Sequence, residues 1–208
     1  MKKNKEFLVL LDAGHGENTP GKRSPDGKFR EYLFAREIAE DLSRELTSDG
    51  LIVKSVVRGV IDTPLSERVR IVNAYCKEYG VSNVVLVSIH CNAAGDGKEW
   101  LNGRGFEVYT SPGNTKSDML AECIYKAAEI CLPDMKMRYD LNDGDYDKEA
   151  RFAMLTQTKC PAVLTENLFQ DNREDVAFLM SPAGKRAIVN LHLHGILNYI
   201  VKTKKQCV

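Results

Sequence analysis

The hydrophobic residues of the chain form short runs that alternate with stretches of helical periodicity. Apolar runs at residues 7–11, 51–57, 84–89, 105–110, 152–155 and 162–165 each predict a β-strand. Most of these runs are continuous rather than alternating, which is typical of strands buried on both faces of a sheet. The strands therefore indicate a sheet with helices on both faces.

Stretches of the chain with helical periodicity lie between these runs. This periodicity predicts helices over residues 31–46, 117–131, 173–179 and 182–202, and a further helix that Gly80 ends. For that helix we expect Thr63 as N-cap and Pro64 at the first helical position, with Leu65, Val69, Val72 and Cys76 facing inward. Strands that alternate with helices predict an α/β fold.

Composition favours one globular domain over residues 1–208, with a core at about 7–200 and a frayed tail at 202–208. The chain has 208 residues, of which 43% are hydrophobic and 28% charged, which excludes a disordered or fibrous protein. Lysine plus arginine and aspartate plus glutamate both number 29, so nothing in the charge balance favours a nucleic-acid partner.

The first apolar run ends at Asp12 and is too short for a secretion signal, and no run is long enough to span a membrane. We therefore expect synthesis in the cytoplasm without a signal peptide, and no membrane insertion.

The six cysteines include no CxxC pair, and we expect them to be reduced. Cys91 is either a reactive thiol or, as we favour, a buried neighbour of the site.

Three apolar runs are followed by residues that can bind metal or transfer protons. His15 follows the first run, His90 follows residues 84–89, and Glu166 follows residues 162–165. In open α/β sheets, sites form at the carboxyl ends of strands. Glu31 opens a helix on the inward side, where it is either a ligand or a first-turn acid favoured by the helix dipole.

Two imidazoles and one carboxylate with an open fourth position are a known catalytic zinc set. A second carboxylate beside them can take a proton from water and pass it to a leaving amine. The residues are consistent with a metal-dependent amide hydrolase.

His192 and His194 lie two positions apart on a helix and cannot chelate together, so we expect a packed His192 and a surface His194.

Five separated segments, in order, resemble the zinc-dependent N-acetylmuramoyl-L-alanine amidases of the amidase-3 type. They are residues 11–16, 30–42, 65–73, 88–93 and 161–172, within a match over residues 7–200. The resemblance implies a twisted, mostly parallel sheet of about six strands between helices. It implies one Zn²⁺ held by His15, Glu31 and His90, with Glu166 as catalytic acid/base, and peptidoglycan as substrate.

Further roles are expected around this set. Asp12 is expected to hold His15 through its second ring nitrogen. Asn92 either orients substrate, supports the ligand His90 or caps the chain, and Arg68 is expected to pair structurally beneath the site. Residues 18–26 form an expected loop beside the metal that shapes substrate access.

Two other functions compete with this interpretation: another zinc peptidase or amidohydrolase of related fold, and a non-catalytic wall-binding domain. Retention of all four site residues favours an enzyme. We expect no obligate protein partner, and action at the cell wall after release or export, as a phage endolysin or as a bacterial housekeeping amidase (an autolysin).

Overall fold

Six strands form one sheet in the computed structural model, which describes residues 6–142 and 144–205. They are β1 (Leu8–Ala13), β2 (Ile52–Ser55), β3 (Val84–Asn92), β4 (Glu107–Thr110), β5 (Lys148–Glu149) and β6 (Ala162–Phe169). The strand order is β2-β1-β3-β6-β4-β5, and only the pairing of β4 with β6 is antiparallel. The predicted mostly parallel sheet of about six strands is confirmed.

Helices cover both faces of the sheet. They are α1 (Glu31–Ser48), α2 (Leu65–Tyr79), α3 (Lys116–Cys131), α4 (Ala153–Thr156), α5 (Arg173–Met180) and α6 (Pro182–Lys205). One core joins α1, α3, α5 and α6 to the sheet face that carries Val9 and Leu11. A smaller core joins α2 and α4 to the face that carries Leu8 and Leu10. Both faces are buried, which explains the continuous apolar runs.

The alternation of side chains along the strands places the candidate site residues on the face of the sheet that α2 covers. Successive strand residues point to opposite faces, and residues directly opposite on neighbouring strands share a face. Ser88 pairs with Asp12, and His90 pairs with Glu166. These four side chains therefore share the face of Leu8 and Leu10, where the core is smaller and leaves room for a cleft.

Two details of the predicted elements are wrong. Residues 152–155 were expected to form a strand but lie at the start of helix α4, because four apolar residues without a β-branched side chain do not distinguish the two structures. A different strand, β5, lies at the edge of the sheet instead. It consists of Lys148 and Glu149, whose polar side chains carry no strand pattern.

Helix α2 also differs from expectation by one residue. It begins at Leu65, and Pro64 rather than Thr63 occupies the N-cap position, while Gly80 ends it as predicted. Leu65 is 55% exposed instead of packed, and Arg68 is buried. The shift matters because it turns the start of α2 toward the cleft.

Residues 202–205 of the tail that was predicted to be frayed belong to helix α6. Residues 206–208 of that prediction lie outside the described residues. No helix in the described part of the chain has the length and apolar character that a membrane span requires.

Candidate metal centre and active-site cleft

His15, Glu31 and His90 converge at the carboxyl ends of β1 and β3. Oε1 of Glu31 lies 3.1 Å from Nδ1 of His90 and 3.5 Å from Nε2 of His15. One ligand atom from each residue falls within 4.8 Å of the others. The two imidazole rings stand nearly perpendicular, with an interplanar angle of 89°. The sequence prediction that these three side chains share one place agrees with this geometry.

The backbone approaches His90 more closely than any side chain would permit. A Cβ atom built on Gly14 would lie 2.4 Å from the Cε1 atom of His90, and one built on Gly16 would lie 2.0 Å from the backbone nitrogen of Asp62. Glycine is required at both positions because the chain is crowded there. His15 itself takes the left-handed conformation, with φ of 58°.

Glu31 is fully buried, which favours the ligand role over that of a first-turn acid. Its Oε1 accepts a hydrogen bond from the backbone N–H of Cys91 at 3.0 Å, whereas its Oε2 is buried with no hydrogen-bond partner among the described residues. Burial raises the pKa of Glu31, but the hydrogen bond and charge of His90 outweigh it, and the net pKa is lowered. A buried carboxylate with an unsatisfied oxygen beside two imidazoles is suited to bind a cation.

The distances from Glu31 to the two imidazoles are close to those between ligands of a zinc ion. Ligands about 2.0–2.1 Å from a tetrahedral zinc ion lie about 3.4 Å from one another. The distances of 3.1 and 3.5 Å from Glu31 to the two imidazoles bracket that value. Burial lowers the pKa of His15 to about 4, so this imidazole is neutral at pH 7, as a metal ligand must be.

Glu166 lies beside this centre, opposite His90 in the β3–β6 register. Its Oε2 is buried and has no hydrogen-bond partner within the described residues. Burial raises the pKa of Glu166 to about 8, although the charge of His90 opposes the rise. A carboxyl group whose pKa lies near neutral pH can both accept and donate a proton.

These side chains line a cavity of about 420 Å³. His15, His90 and Glu166 line it together with the charged side chains of Lys22 and Asp62. A further part of the lining, the apolar wall, comes from residues in or next to α2, α4 and β6, namely Pro64, Leu65, Phe152, Met154 and Leu164. The cleft therefore offers a charged side and a hydrophobic side to a substrate.

The structure corrects the expected role of Asp12. Its two carboxylate oxygens accept hydrogen bonds from Arg68 at 2.7 Å and from Ser88 at 2.6 Å, so it holds Arg68 rather than His15. Arg68 is 2% exposed and also contacts Asp62. It lies beneath the cleft as a structural pair, in agreement with its expected role.

Asn92 is not among the residues that line the cavity. Its amide donates to Glu107 at 3.0 Å and its oxygen accepts from the N–H of Ala93 at 2.8 Å, so of its expected roles the capping one agrees with the structure.

Cys91 is buried, and burial raises its pKa well above the usual value, which leaves an unreactive thiol. The favoured prediction for Cys91 thus agrees with the structure.

The remaining histidines and cysteines agree with expectation. His192 is packed in the core and His194 is exposed. The five described cysteines are free thiols, and Cys207 lies outside the described residues.

Sequence reasoning placed residues 18–26 beside the site but missed Lys22 as a wall of the cleft. It also missed Phe152 and Met154, because the segment was interpreted as a strand. A polar loop has no hydrophobic period, so only the composition around Lys22 was informative, and it indicated a loop.

An α/β sheet with a buried Glu between two partly buried His side chains, beside a further carboxyl group, defines a hydrolase domain with a candidate metal centre. The chain belongs to the N-acetylmuramoyl-L-alanine amidase family Amidase_3, which matches residues 9–198. Its reaction class is therefore hydrolysis of the muramoyl–alanine amide in peptidoglycan.

Relatives support this assignment. The chain is 29% identical over 206 residues to an endolysin of Bacillus phage SPP1, a match that covers 95% of this chain and 68% of the endolysin. It is 30% identical over 195 residues to N-acetylmuramoyl-L-alanine amidase CwlM of Bacillus licheniformis, covering 90% and 66%. The chain thus spans about two thirds of the length of these relatives.

The fold is shared with solved amidases. The structure of an N-acetylmuramoyl-L-alanine amidase from Clostridium difficile 630 superposes with a TM-score of 0.78 at 22% identity, covering 95% of this chain and 98% of that one. At this identity the likeness concerns the arrangement of the sheet and helices.

Proposed function

We propose that the chain cleaves the amide between N-acetylmuramic acid and the L-alanine of the stem peptide, with one Zn²⁺ held by His15, Glu31 and His90. The convergence of these three side chains within 4.8 Å supports the proposal most directly. The unsatisfied Oε2 of Glu31 supports it further, since a buried carboxylate oxygen requires a partner.

The chain's own groups divide the remaining work. A zinc ion bound there would supply a water of lowered pKa and a positive charge beside the scissile carbonyl. Glu166 takes the proton from the attacking water at its free Oε2 and delivers it to the departing alanine nitrogen. Burial of Glu166 excludes bulk water from this transfer. The apolar wall positions the peptide beside the centre.

Glu166→Gln tests the acid/base role. Removal of a general acid/base lowers rates by about 10²–10⁴-fold, so we expect at least a 100-fold loss of release of stem peptides from purified peptidoglycan, with zinc content unchanged. Glu40→Gln is the matched control, because Glu40 is exposed on α1 and forms its ion pair, within the described residues, with Arg44. Normal lysis by the zinc-loaded Glu166→Gln protein would contradict the role.

Analysis of the reaction products identifies which bond of peptidoglycan the chain cleaves. Mass spectrometry of peptidoglycan digests should show free stem peptides that begin with L-alanine. L-alanine left on the sugar would indicate a zinc peptidase instead, and no product with no bound zinc would favour a wall-binding domain. Chelation should abolish activity and Zn²⁺ should restore it.

We further propose that the chain acts at the cell wall and needs no protein partner. Similar identities to a phage endolysin and a bacterial amidase make both biological roles compatible with the sequence. Activity of the purified chain alone on peptidoglycan tests the independence from a partner.

A further inference from the structure

The cleft contains a cation that the mechanism above does not use. Lys22 lines the cavity beside His15 and His90, and its side chain is 36% exposed. Within residues 6–142 and 144–205, the charged group nearest its ammonium is Oε2 of Glu31, at 3.9 Å, which is beyond hydrogen-bond distance. The ammonium therefore retains its hydrogen-bond donors.

Arg68 is the other cation of the cavity wall, and four of its five N–H donors are already occupied. It donates to Asp12, to Asp62 and to the backbone oxygens of Ala13 and Thr63. Lys22 is thus the cavity-lining cation, among the described residues, that can bind an anion from solution.

The position of Lys22 is set by the main chain. Its carbonyl accepts a hydrogen bond at 3.1 Å from the N–H of Glu31, the first residue of α1. Its neighbour Arg23 forms an isolated bridge with Arg30. The ammonium is therefore presented from an anchored turn, which makes it suitable for recognition.

A cation in the His–Glu–His site would strengthen this role. The Glu31 carboxylate would then be neutralised by its metal, and Lys22 would lose its weak ionic partner. An anionic group of the substrate becomes the favourable neighbour for the ammonium in a cleft that is lined in part by apolar side chains.

We propose that Lys22 binds the free α-carboxylate of the D-glutamate that follows L-alanine in the stem peptide. The inference rests on the proposed function, which places the muramoyl–alanine amide over Glu166 and the metal ligands. The carboxylate of the second residue lies about 7 Å from that amide in an extended peptide, within reach of a lysine that lines the same cavity. Lys22 thus makes the enzyme selective for stem peptides whose glutamate is not amidated.

The test compares two muramoyl tripeptides, MurNAc-L-Ala-γ-D-Glu-L-Lys and its counterpart with the glutamate α-carboxyl amidated. We expect the unaltered protein to prefer the free carboxylate by about tenfold in kcat/KM, since one charge-assisted hydrogen bond is at stake. Lys22→Met should remove this preference by raising KM for the free carboxylate, with kcat nearly unchanged. Lys22→Arg should restore much of it.

Lys28→Met is the matched control, because Lys28 is exposed in the same loop and its ammonium lies 4.0 Å from Asp26. It should keep the preference. Zinc content is measured for every variant. Equal use of both tripeptides by the unaltered protein overturns the inference, as does a Lys22→Met variant that loses kcat equally on both.

Calorimetric binding of the released tripeptides separates this inference from the proposed function. The unaltered protein should bind L-Ala-γ-D-Glu-L-Lys more tightly than its amidated counterpart, and Lys22→Met should not discriminate. If neither muramoyl substrate is cleaved, the proposed function fails while this binding comparison still decides the role of Lys22. Equal binding of the two peptides overturns that role.

Discussion

His15 combines a strained backbone with a metal-binding side chain. Its left-handed conformation, with φ of 58°, costs an L-residue about 1 kcal/mol or more. Arg36 of α1 stabilises it by donating from Nη2 to the His15 carbonyl oxygen at 3.0 Å. The strain directs the imidazole toward Glu31. The glycines on both sides of His15 are required because neighbouring atoms are so close.

Gly14→Ala should disrupt the metal centre more than the fold. The added Cβ would lie 2.4 Å from the His90 ring, which must move out of its ligand position. We expect zinc content and lytic activity to fall at least tenfold while circular dichroism stays native. Gly27→Ala, with no atoms within 4 Å of the new Cβ, is the control and should lose only about 1 kcal/mol of stability because φ is positive there. Full zinc occupancy in Gly14→Ala would refute the prediction.

At the scale of elements, helix α2 is joined to strand β1 by a buried ion pair. Arg68 of α2 reaches Asp12 of β1, and both are almost fully buried. Periodicity predicted α2 but assigned its inward positions to apolar residues, since a lone arginine within a helix usually lies at the surface. Its burial depends on Asp12 and Ser88, which come from two distant strands.

Arg68→Met should destabilise the protein strongly. Removal of one partner from a buried pair leaves Asp12 as an uncompensated charge, which costs about 3–5 kcal/mol. Arg70→Met on the same helix is the control, because the pair of Arg70 with Glu67 is exposed and contributes less than about 1 kcal/mol. Urea unfolding measures both. Similar stabilities for the two variants would show that the buried pair is dispensable.

At the scale of the whole molecule, α6 is held against β6 by a polar contact inside the larger core. Nδ1 of His192 donates to the Ile188 carbonyl oxygen at 2.7 Å, and Nε2 accepts from the Thr165 hydroxyl at 2.9 Å. Thr165 precedes Glu166, so this contact lies directly behind the proposed acid/base. Burial lowers the pKa of His192 to about 4, and the folded protein keeps the ring neutral.

Stability should therefore depend on pH through His192. Its pKa is about 6.5 in the unfolded chain, which takes up a proton below that pH, whereas the folded protein does so only near pH 4. The free energy of unfolding falls across this window as pH decreases. The His192→Gln protein lacks this loss of stability. Its deficit in the free energy of unfolding, relative to the unaltered protein, should therefore shrink by about 2 kcal/mol between pH 7 and pH 5.

Urea unfolding of the two proteins at both pH values measures this change. Glu166 contributes with the opposite sign, because its pKa is raised and stability falls as pH rises toward 8, but it is common to both proteins and cancels in the difference. A deficit that does not change between pH 7 and pH 5 would mean that folding does not lower the pKa of His192.

Local pattern alone determined the α/β class, the buried strands β1, β3 and β6, and the likeness of the segments around His15, Glu31, His90 and Glu166 to an amidase. These features depend on residues near one another in the chain, where side-chain period and strand ends are visible. Tertiary structure alone decided that Glu31 is buried as a candidate ligand, that Asp12 holds Arg68, and that Lys22 and Phe152 line the same cleft. Each of these depends on groups brought together from distant segments, whose burial and charge exist only once the sheet has formed.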